Sequence, residues 1–291
     1  MSSLKHPSLS ASDNTDTTPD ASGWSANLYN QVASFVYSSQ YTTPILDLLD
    51  AKPGERIIDF GCGSGDLTLS IEKVVTQGQG GVVVGVDASE SMISKAKSNG
   101  LKHAFVADLT KPLVFPSSEQ EFHGPTGNFD AVFANAALHW CKSDPSAAVE
   151  NAKRVLKKGG RFVAEMGGYL NCAGIRIALH AVLRRRGYNP EEMDPWYFPH
   201  DLEYRKLLES HGFEVLSCTL HPRITPVPAG LKGWMSIFVR STWLKNLADE
   251  EAESVMGEVE DMCKVDLHYG DGKDEGWEVM YVRLRFAAKL A

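Results

Sequence analysis

Short apolar runs alternate with segments of helical apolar spacing through the middle of the chain, between residues 54 and 166. Each run is short and ends at glycine or a polar residue, as buried strands do. These runs predict strands near 56–60, 82–87, 103–107, 129–134 and 160–165. The helical spacing predicts helices near 66–76, 89–99 and 144–157, the second of them with Ser89 as its N-cap. Regular alternation of this kind predicts an α/β fold, with a parallel sheet wound by helices.

The chain before residue 54 divides into a polar tail and an apolar helical stretch. Residues 1–22 are rich in Ser, Thr, Asp and Pro, so we expect a disordered tail. Residues 24–50 carry apolar side chains at helical spacing, which predicts two helices, the second beginning at Pro44. The expected organisation is a tail over 1–22, covering helices over 23–53 and a core over 54–166.

After residue 166 we expect a helical lid together with the last strands of the sheet, over 167–291. The predicted helices lie near 171–186, 201–211, 229–246 and 248–265, and the predicted strands at 213–220 and 277–288. Prolines 222, 226 and 228 predict a link after the first of these strands, and residues 110–128 predict a loop insertion. In the last strand Tyr281, Arg283 and Arg285 alternate with apolar residues, so they share one face.

The segment from Arg56 to Asp66 combines a strand, a tight turn and the start of a helix. It is Arg-Ile-Ile-Asp-Phe-Gly-Cys-Gly-Ser-Gly-Asp, with Gly61, Gly63 and Gly65 in the turn. Glycine permits positive φ angles and lets a ligand approach the backbone. After the first strand of a doubly wound sheet, such a turn forms a small-molecule cradle. The spacing differs from the Gly-x-Gly-x-x-Gly dinucleotide fingerprint, and a simple connecting turn is the alternative.

Polar side chains end the next three predicted strands. They are Asp87, Asp108 and Asn135. Because the carboxyl ends of parallel strands gather around one crevice, we expect all three near the glycine turn. A carboxylate some twenty residues beyond such a turn is placed to accept hydrogen bonds from both hydroxyls of a ribose. The agreement of these positions favours a ligand site over a connecting turn.

Composition limits the partners of the protein. The 291 residues include 29 Lys and Arg against 37 Asp and Glu, a net charge of −8, which disfavours a nucleic-acid partner. The five cysteines are scattered, without Cys-x-x-Cys pairs or zinc-ligand spacing, so we expect reduced thiols in a cytoplasmic protein and no metal. No segment has the pattern of a signal peptide or the length of an apolar membrane span, so no membrane partner is expected.

Four segments in order resemble the motifs of class I S-adenosylmethionine-dependent methyltransferases. They are the glycine turn, Val-Gly-Val-Asp87, Val-Ala-Asp108-Leu and Phe-Asp-Ala-Val-Phe-Ala-Asn-Ala-Ala-Leu-His-Trp140. Segments Trp24–Tyr29, Asn135–Trp140, Arg154–Gly160, Gly233–Trp234 and Tyr281–Phe286 are similar to the trans-aconitate methyltransferase group. The resemblance implies a doubly wound, mostly parallel seven-stranded sheet and the cofactor S-adenosyl-L-methionine. It also implies O-methylation of a carboxylate on a small organic acid or natural product.

The resemblance also implies which residues hold the cofactor. They are Tyr29, Asp59, Gly61, Gly63, Gly65, Asp87, Ala88, Met92, Asp108, Leu109, Asn135 and Ala136. The three glycines are expected to line its methionine and ribose. Asp59 is expected to accept from the methionine amino group, Asp87 from the ribose hydroxyls and Asp108 from the adenine amino group. Ala88, Met92 and Leu109 would lie beside adenine.

The methionine end is expected to contact the backbone carbonyls of Asn135 and Ala136, with Tyr29 closing over it. Two members of the set have structural alternatives. Met92 has the spacing of helix core. Asp59 is alternatively a buried carboxylate tied to amides of the glycine turn.

His139 is the candidate catalytic residue, as a general base or as a hydrogen-bond donor to the substrate. The alternative is a packed, hydrogen-bonded histidine, because an ionised carboxylate acceptor needs no base. The candidate substrate-binding residues are Trp140, Arg176, Trp196, Tyr197, Arg223 and Trp234. Arginine suits bidentate carboxylate recognition, so at least one of the two arginines is expected to face the acceptor. Each residue alone is also compatible with ordinary surface or packing roles.

The segment after Tyr29 is less charged than in bacterial members of the group, which disfavours a tricarboxylate. The aromatic residues Trp196, Tyr197 and Trp234 fit a larger, less polar acid. One alternative function is methylation of carbon, nitrogen or a phenol oxygen of a lipid or secondary metabolite, which would need a base. Another is a non-catalytic, cofactor-binding regulator. The expected partner is a small-molecule acceptor, and the oligomeric state stays open.

Overall fold

The computed structural model describes Asp20, residues 39–122 and residues 127–291, and it has a sheet at its centre. The strands are β1 (Arg56–Phe60), β2 (Val82–Asp87), β3 (His103–Val106), β4 (Phe129–Asn135), β5 (Leu156–Gly167), β6 (Phe213–Pro226), β7 (His268–Tyr269) and β8 (Gly276–Leu290). Their order is β3–β2–β1–β4–β5–β8–β6, and the short β7 pairs with β8. Strands β1 to β5 pair in parallel, whereas β8 is antiparallel to β5 and β6. The predicted mostly parallel α/β sheet is confirmed.

Helices cover both faces of this sheet, which explains the apolar runs. They are α1 (Ser39–Leu49), α2 (Asp66–Val75), α3 (Glu90–Ser98), α4 (Pro145–Val155), α5 (Ala173–Arg185), α6 (Pro190–Met193), α7 (Asp201–Ser210), α8 (Gly230–Phe238) and α9 (Asp249–Leu267). Successive strand residues point to opposite faces. Ile57 therefore packs with Leu49 and Val75, while Ile58 belongs to the cluster that contains Val149. Strands buried on both faces need apolar residues at every position.

A further apolar cluster is separate from the two on the sheet. It is formed by α5, α8, α9 and the segment between α6 and α7, and it includes Leu179, Trp196, Met235 and Val255. Tyr281 joins this cluster to β8. The helices predicted near 171–186, 229–246 and 248–265 thus share a core of their own, whereas α7 packs on the sheet through Tyr204 and Leu208.

Strand β6 is longer than predicted, because it continues through Pro222 to Pro226. The prediction of a proline link from residue 222 was wrong for this stretch. Strand β6 lies at the end of the strand order, and an edge strand tolerates proline because one side of it needs no ladder partner. The extension pairs Arg223 with Tyr281 of β8.

Other boundaries also differ from the predictions. Pro44 lies inside α1 and does not begin it. Helix α8 ends at Phe238, where a helix to residue 246 was predicted. Arg240 Nη1 donates to the Leu244 carbonyl at 2.9 Å and stabilises turns in place of the last helical residues. Within the predicted loop at 110–128, residues Ser117–Phe122 form a 3₁₀ turn with Phe122 buried.

One residue of the predicted tail is described, and it lies at the start of α3. The carboxylate of Asp20 accepts from Ser89 Oγ at 2.5 Å and from the Ser91 amide at 3.0 Å. Carboxylates are stabilised at helix N-termini. Ser89 Oγ also accepts from the Met92 amide at 3.1 Å, which confirms the predicted N-cap. The rest of the tail and the first predicted covering helix lie outside the described residues.

Candidate functional site

A cavity opens at the carboxyl ends of β1, β2, β4 and β5 and beside the end of β3. Its lining includes Asp59, Asp87, Asp108, Asn135 and Glu165, which lie in or directly after these strands. Parallel strands gather their carboxyl ends along one edge of a sheet, as the sequence analysis expected for three of these residues. The cavity extends past this edge to aromatic residues of α8 and of the segment after α6.

The glycine turn forms one wall of the cavity. Gly61 and Gly63 line it with φ angles of +81° and +54°. The Gly61 amide donates to the Val86 carbonyl at 2.7 Å, which holds the turn against β2. A Cβ on Gly61 would lie 2.1 Å from Ala137 Cβ, so a side chain has no room there. Gly65 does not line the cavity; it lets α2 approach α3, where its Cβ would meet Ala96 Cβ at 3.2 Å.

Asp87 and Asp59 face the turn in different ways. Asp87 accepts from the Gly63 amide at 3.0 Å and from the Ser89 amide at 2.9 Å. Burial raises its pKa. Asp59 accepts from Thr68 Oγ1 at 2.6 Å, and burial raises its pKa to about 7, with the charge of Asp87 contributing. The carboxylate that holds a turn amide is therefore Asp87, and Asp59 is held by a hydroxyl of α2.

The other predicted cofactor residues after β2, β3 and β4 also line the cavity. They are Ala88, Met92, Asp108, Leu109, Asn135 and Ala136. Met92 is both buried in α3 and part of the lining, so its two interpretations coincide. Asp108 accepts from the amide and hydroxyl of Thr110, which fixes its rotamer. Ala136 has a φ of +57°, and its amide donates to the Glu165 carbonyl at 2.7 Å.

Aromatic rings line the part of the cavity formed by α8, Trp140 and the segment after α6. Trp140, Trp196, Phe198, Trp234 and Phe238 all line it. The rings of Trp196 and Phe198 stack with centroids 5.4 Å apart, and Trp196 meets Trp234 edge-on at 6.2 Å. We call these five residues the aromatic wall.

Arg223 is the predicted arginine that reaches the cavity. Its Cζ lies 4.1 Å from the centroid of the Tyr41 ring and 5.9 Å from that of Tyr281. Its Nε is buried and no described residue accepts from it. Burial lowers the pKa of Arg223, with the charge of Arg283 contributing, although an arginine stays protonated. Glu165 Oε1 lies 3.9 Å from its Nη1, and a buried guanidinium donor that no described residue accepts from favours a further anion nearby.

Arg176 and Tyr197 do not line the cavity. Arg176 Nε donates to Asp194 at 2.7 Å, and its guanidinium stacks behind Phe198 at 5.4 Å. In the segment after α6, Trp196 and Phe198 line the cavity, whereas Tyr197 between them donates its hydroxyl to Glu203 at 3.1 Å. Alternate residues of an extended segment point to opposite sides, so the side chain of Tyr197 points away from the cavity.

His139 lines the cavity as a buried, hydrogen-bonded histidine. The Gly167 amide donates to its Nδ1 at 3.3 Å. Burial, together with the charge of Arg283, lowers its pKa well below the ordinary value, so the ring is neutral. Because Nδ1 accepts, the single ring proton lies on Nε2. In this tautomer His139 is a hydrogen-bond donor through Nε2.

Comparisons with known proteins agree on one family. A family model described as a methyltransferase domain matches residues 58–164. An uncharacterized methyltransferase of Schizosaccharomyces pombe is 32% identical over 271 residues, which cover 91% of this chain and 97% of that protein. The chain is a class I S-adenosylmethionine-dependent methyltransferase. Its cofactor is S-adenosyl-L-methionine.

More distant relatives of the methyltransferase share parts of the sequence or only the fold. A trans-aconitate 2-methyltransferase of Mycolicibacterium gilvum is 29% identical over 140 residues, 47% of this chain and 48% of that protein. A solved structure from Bacillus halodurans has a TM-score of 0.57 at 16% identity and covers 86% of this chain and 98% of that chain. At that identity the likeness shows the fold alone.

The residues of the glycine turn fit this cofactor. The space that a Cβ of Gly61 would fill is closed by Ala137, so only backbone faces the cavity there. Two carboxylates, Asp59 and Asp87, lie on the same side and provide acceptors for hydroxyl and ammonium groups. The predicted contact from Tyr29 lies outside the described residues.

We expect Gly61→Ala to cost the methyltransferase much more stability than Gly80→Ala. Both glycines have a φ near +80°, which costs an alanine about 1–2 kcal/mol. Only Gly61 adds a collision, since nothing lies within 4 Å of a Cβ on Gly80. Urea unfolding of the two variants would measure the difference. Equal losses would show that the contact with Ala137 relaxes.

We expect Asp59→Asn to change the pH dependence of stability in the cofactor-free enzyme. The carboxyl of Asp59 has a pKa of about 7 when folded, against about 3.9 when unfolded, so the folded state keeps the proton between these values. Wild-type stability then falls as pH rises from about 4 to 7, whereas asparagine cannot ionise. The stability of the variant relative to wild type should rise by up to about 4 kcal/mol across that range. Unfolding at several pH values tests this, and a constant difference contradicts it.

The sequence analysis missed a cluster of charges beside Arg223 at the cavity. Glu165 is buried at the end of β5 and accepts from Arg283 Nε at 3.2 Å and from Arg285 Nη2 at 2.6 Å. Burial alone raises the pKa of a carboxyl, but Arg283, Arg285 and Arg223 outweigh it and hold the pKa of Glu165 below its ordinary value. A glutamate within the apolar run Phe-Val-Ala-Glu-Met was the signal in the sequence.

Three observations on the described residues concern membrane spans, cysteines and metal ligands. No described helix combines the length and apolar character that a membrane crossing requires. All five cysteines are buried and unpaired. Within residues 39–122 and 127–291, no three His, Cys, Asp or Glu side chains are grouped as metal ligands.

Proposed function

We propose that the enzyme O-methylates a carboxylate of a small organic acid or natural product. The observation that carries this proposal is Arg223, which lines the cavity and whose buried Nε has no acceptor among the described residues. Carboxylates accept short, charge-assisted hydrogen bonds from guanidinium groups. Arg283 lies two residues beyond the partner of Arg223 in β8 and also lines the cavity. Arg283 is already paired with Glu165, so an anion bound by Arg223 would lie beside that pair.

The cofactor is proposed to lie along the strand ends. Asp87 would accept from its ribose hydroxyls, Asp59 from its amino group and Asp108 from the adenine amino group. Gly61 and Gly63 would face its methionine and ribose. Support comes from their common cavity and from the carboxylates, which have acceptor oxygens next to the turn.

The remaining proposed cofactor contacts lie on either side of these carboxylates. Ala88, Met92 and Leu109 would lie beside adenine. The backbone carbonyls of Asn135 and Ala136 would face the methionine end. All five residues belong to the lining of the cavity.

A carboxylate acceptor suits the chemistry that the residues provide. Bound S-adenosyl-L-methionine supplies a methyl group on a sulfonium, which is already activated for transfer. An ionised carboxylate is already nucleophilic, so the protein needs only to orient it and exclude water. Positioning of this kind supplies about 7–11 kcal/mol in favourable cases. Arg223 would orient the carboxylate, and the aromatic wall would exclude water.

The tautomer of His139 favours a carboxylate over a phenol or carbon acceptor. A phenol or enol needs a base that takes its proton. Nδ1 of His139 is engaged by Gly167, and Nε2 carries the ring proton. His139 would therefore donate to an acceptor oxygen and not remove a proton from it. The partial match to a trans-aconitate 2-methyltransferase also supports an acid.

Methyl transfer from labelled cofactor to a panel of acids and phenols tests this function. The expected product is a methyl ester, identified by its mass and by its hydrolysis in mild base. If neutral phenols or alcohols are methylated faster than every acid, the carboxylate proposal fails. If the cofactor does not bind, or no acid in the panel is methylated, the result argues for a non-catalytic regulator.

We expect His139→Gln to retain kcat within about tenfold of wild type. Glutamine still donates a hydrogen bond into the cavity, whereas loss of a general base typically costs 10²–10⁴-fold. His139→Leu removes the donor and should lose more activity than His139→Gln. Initial rates at saturating acid measure both variants. A loss greater than about a hundredfold in His139→Gln, with cofactor binding intact, would assign His139 as a base.

A further inference from the structure

We infer that the acceptor is a monocarboxylic acid with an apolar body, rather than an acid with several carboxylates. This inference rests on the proposed carboxylate methylation and names the substrate class of the same site. We call the part of the cavity between Arg223, Arg283 and the aromatic wall the acceptor side, and its two ends differ in chemistry. One end contains the cations of the lining, and the other is the aromatic wall.

The cations of the acceptor side lie together on two paired strands. Arg223 of β6 faces Tyr281 of β8, and Arg283 follows two residues later. They are the Lys and Arg side chains that line the cavity among the described residues. Both lie beside Glu165, which accepts from Arg283 at 3.2 Å and lies 3.9 Å from Arg223 Nη1. One carboxylate can bind here through the partly exposed guanidinium of Arg223, whose Nε has no acceptor among the described residues.

Glu165 limits how many anions this end accepts. Its Oε1 takes the Nε of Arg283, and its Oε2 takes two donors of Arg285. A second substrate carboxylate at the same end would compete with these bonds and lie next to a buried negative charge. Like charges at short distance disfavour each other strongly where water is excluded.

The aromatic wall provides few polar partners for a second carboxylate at the other end. Trp234 Nε1 already donates to the hydroxyl of Tyr281 at 2.5 Å. Asn171 accepts from the Val282 amide at 3.0 Å and donates to Cys172 Sγ at 3.4 Å. An ionised group against the rings would lose most of its water and gain few hydrogen bonds in return. An apolar body there would instead replace water by ring contacts.

The rings are arranged as a continuous surface for such a body. Trp234 and Phe238 are four residues apart on α8, so they share one helix face, with ring centroids 4.9 Å apart. Trp196 links them to Phe198 and to Trp140. Tyr281 connects this surface to Arg223. A ligand that follows it has its charge at one end and its apolar surface along the wall.

The experiment uses the full chain and compares acids that have one carboxylate with acids that have several. Decanoate and 4-phenylbutyrate are the monocarboxylate probes, one aliphatic and one aryl, and trans-aconitate and citrate are the tricarboxylate probes. With labelled cofactor, kcat/KM for at least one monocarboxylate should exceed that for both tricarboxylates at least about tenfold. The better of the two monocarboxylates distinguishes an aliphatic from an aryl body.

A tricarboxylate that is preferred over both monocarboxylates overturns this inference and leaves the proposed carboxylate methylation in place. Phenols are added to the same assay. Methylation of a phenol without methylation of any acid overturns both this inference and the proposed carboxylate methylation. These two outcomes are therefore distinguishable in one assay.

A variant of the aromatic wall gives an independent readout. Phe238 is half-buried at the cavity, so Phe238→Ala should fold. It should lower kcat/KM for decanoate or 4-phenylbutyrate about tenfold and change that for propionate, which is too short to follow the wall, much less. Tyr269→Ala, at an exposed aromatic outside the cavity lining, is the matched control and should change neither. Equal losses for short and long acids in Phe238→Ala would contradict the inference.

Discussion

Arg223→Met is expected to raise the KM for the acid about 10- to 100-fold and to leave the cofactor Kd unchanged. Hydrogen bonds to a charged group contribute about 1.5–3 kcal/mol, and this variant removes the guanidinium that would make them. Methionine keeps the apolar bulk between Tyr41 and Tyr281. Initial-rate kinetics and calorimetry with the cofactor would measure the two quantities separately.

Arg223→Lys and Arg154→Met complete this experiment. Lysine retains the charge but loses the planar fork, so its KM should lie between those of wild type and Arg223→Met. Arg154 is exposed on α4 and outside the cavity lining, so Arg154→Met controls for loss of an arginine. Unchanged kinetics in Arg223→Met would remove the observation that carries the proposed function.

Asp87→Ala is expected to weaken cofactor binding at least about tenfold. The ribose hydroxyls would lose their acceptor, at a cost of about 1.5–3 kcal/mol. The same carboxylate holds the Gly63 and Ser89 amides, so the turn also loses support. Calorimetry measures the Kd, and an unchanged value would refute the ribose assignment.

Two controls separate lost ligand contacts from a damaged turn. Asp261 is exposed on α9 and outside the cavity lining, so Asp261→Ala should bind the cofactor as wild type does. The melting temperature of Asp87→Ala without cofactor reports the turn alone. A large decrease in melting temperature with an unchanged Kd would assign Asp87 a purely structural role.

The part of the cavity lined by the strand ends was predictable because its signals are local. Gly61, Asp87, Asp108 and Asn135 each lie in or within two residues of the end of an apolar run, and parallel strands bring such ends together. Local spacing also predicted the cap at Ser89. Gly65 shows the limit of this reasoning, because whether a glycine faces a ligand or a neighbouring helix depends on the position of α3.

The two candidate arginines were indistinguishable in sequence, and long-range packing separated them. Arg176 meets Asp194, which the chain brings back after α6, and it lies behind the aromatic wall. Arg223 reaches the cavity because β6 continues through a proline that looked like the start of a link. Its edge position, which permits proline, depends on the order of the whole sheet.

The sequence by itself determined the family, the parallel core and the gathering of Asp87, Asp108 and Asn135 at one cavity, since turn chemistry and side-chain periodicity act over a few residues. Only the tertiary structure decided which charges meet beside Arg223. Glu165 and Arg283 are 118 positions apart, and the antiparallel register of β5 and β8 brings them within hydrogen-bonding distance. A register depends on the packing of the entire sheet, because a shift of one residue moves every side chain to the other face.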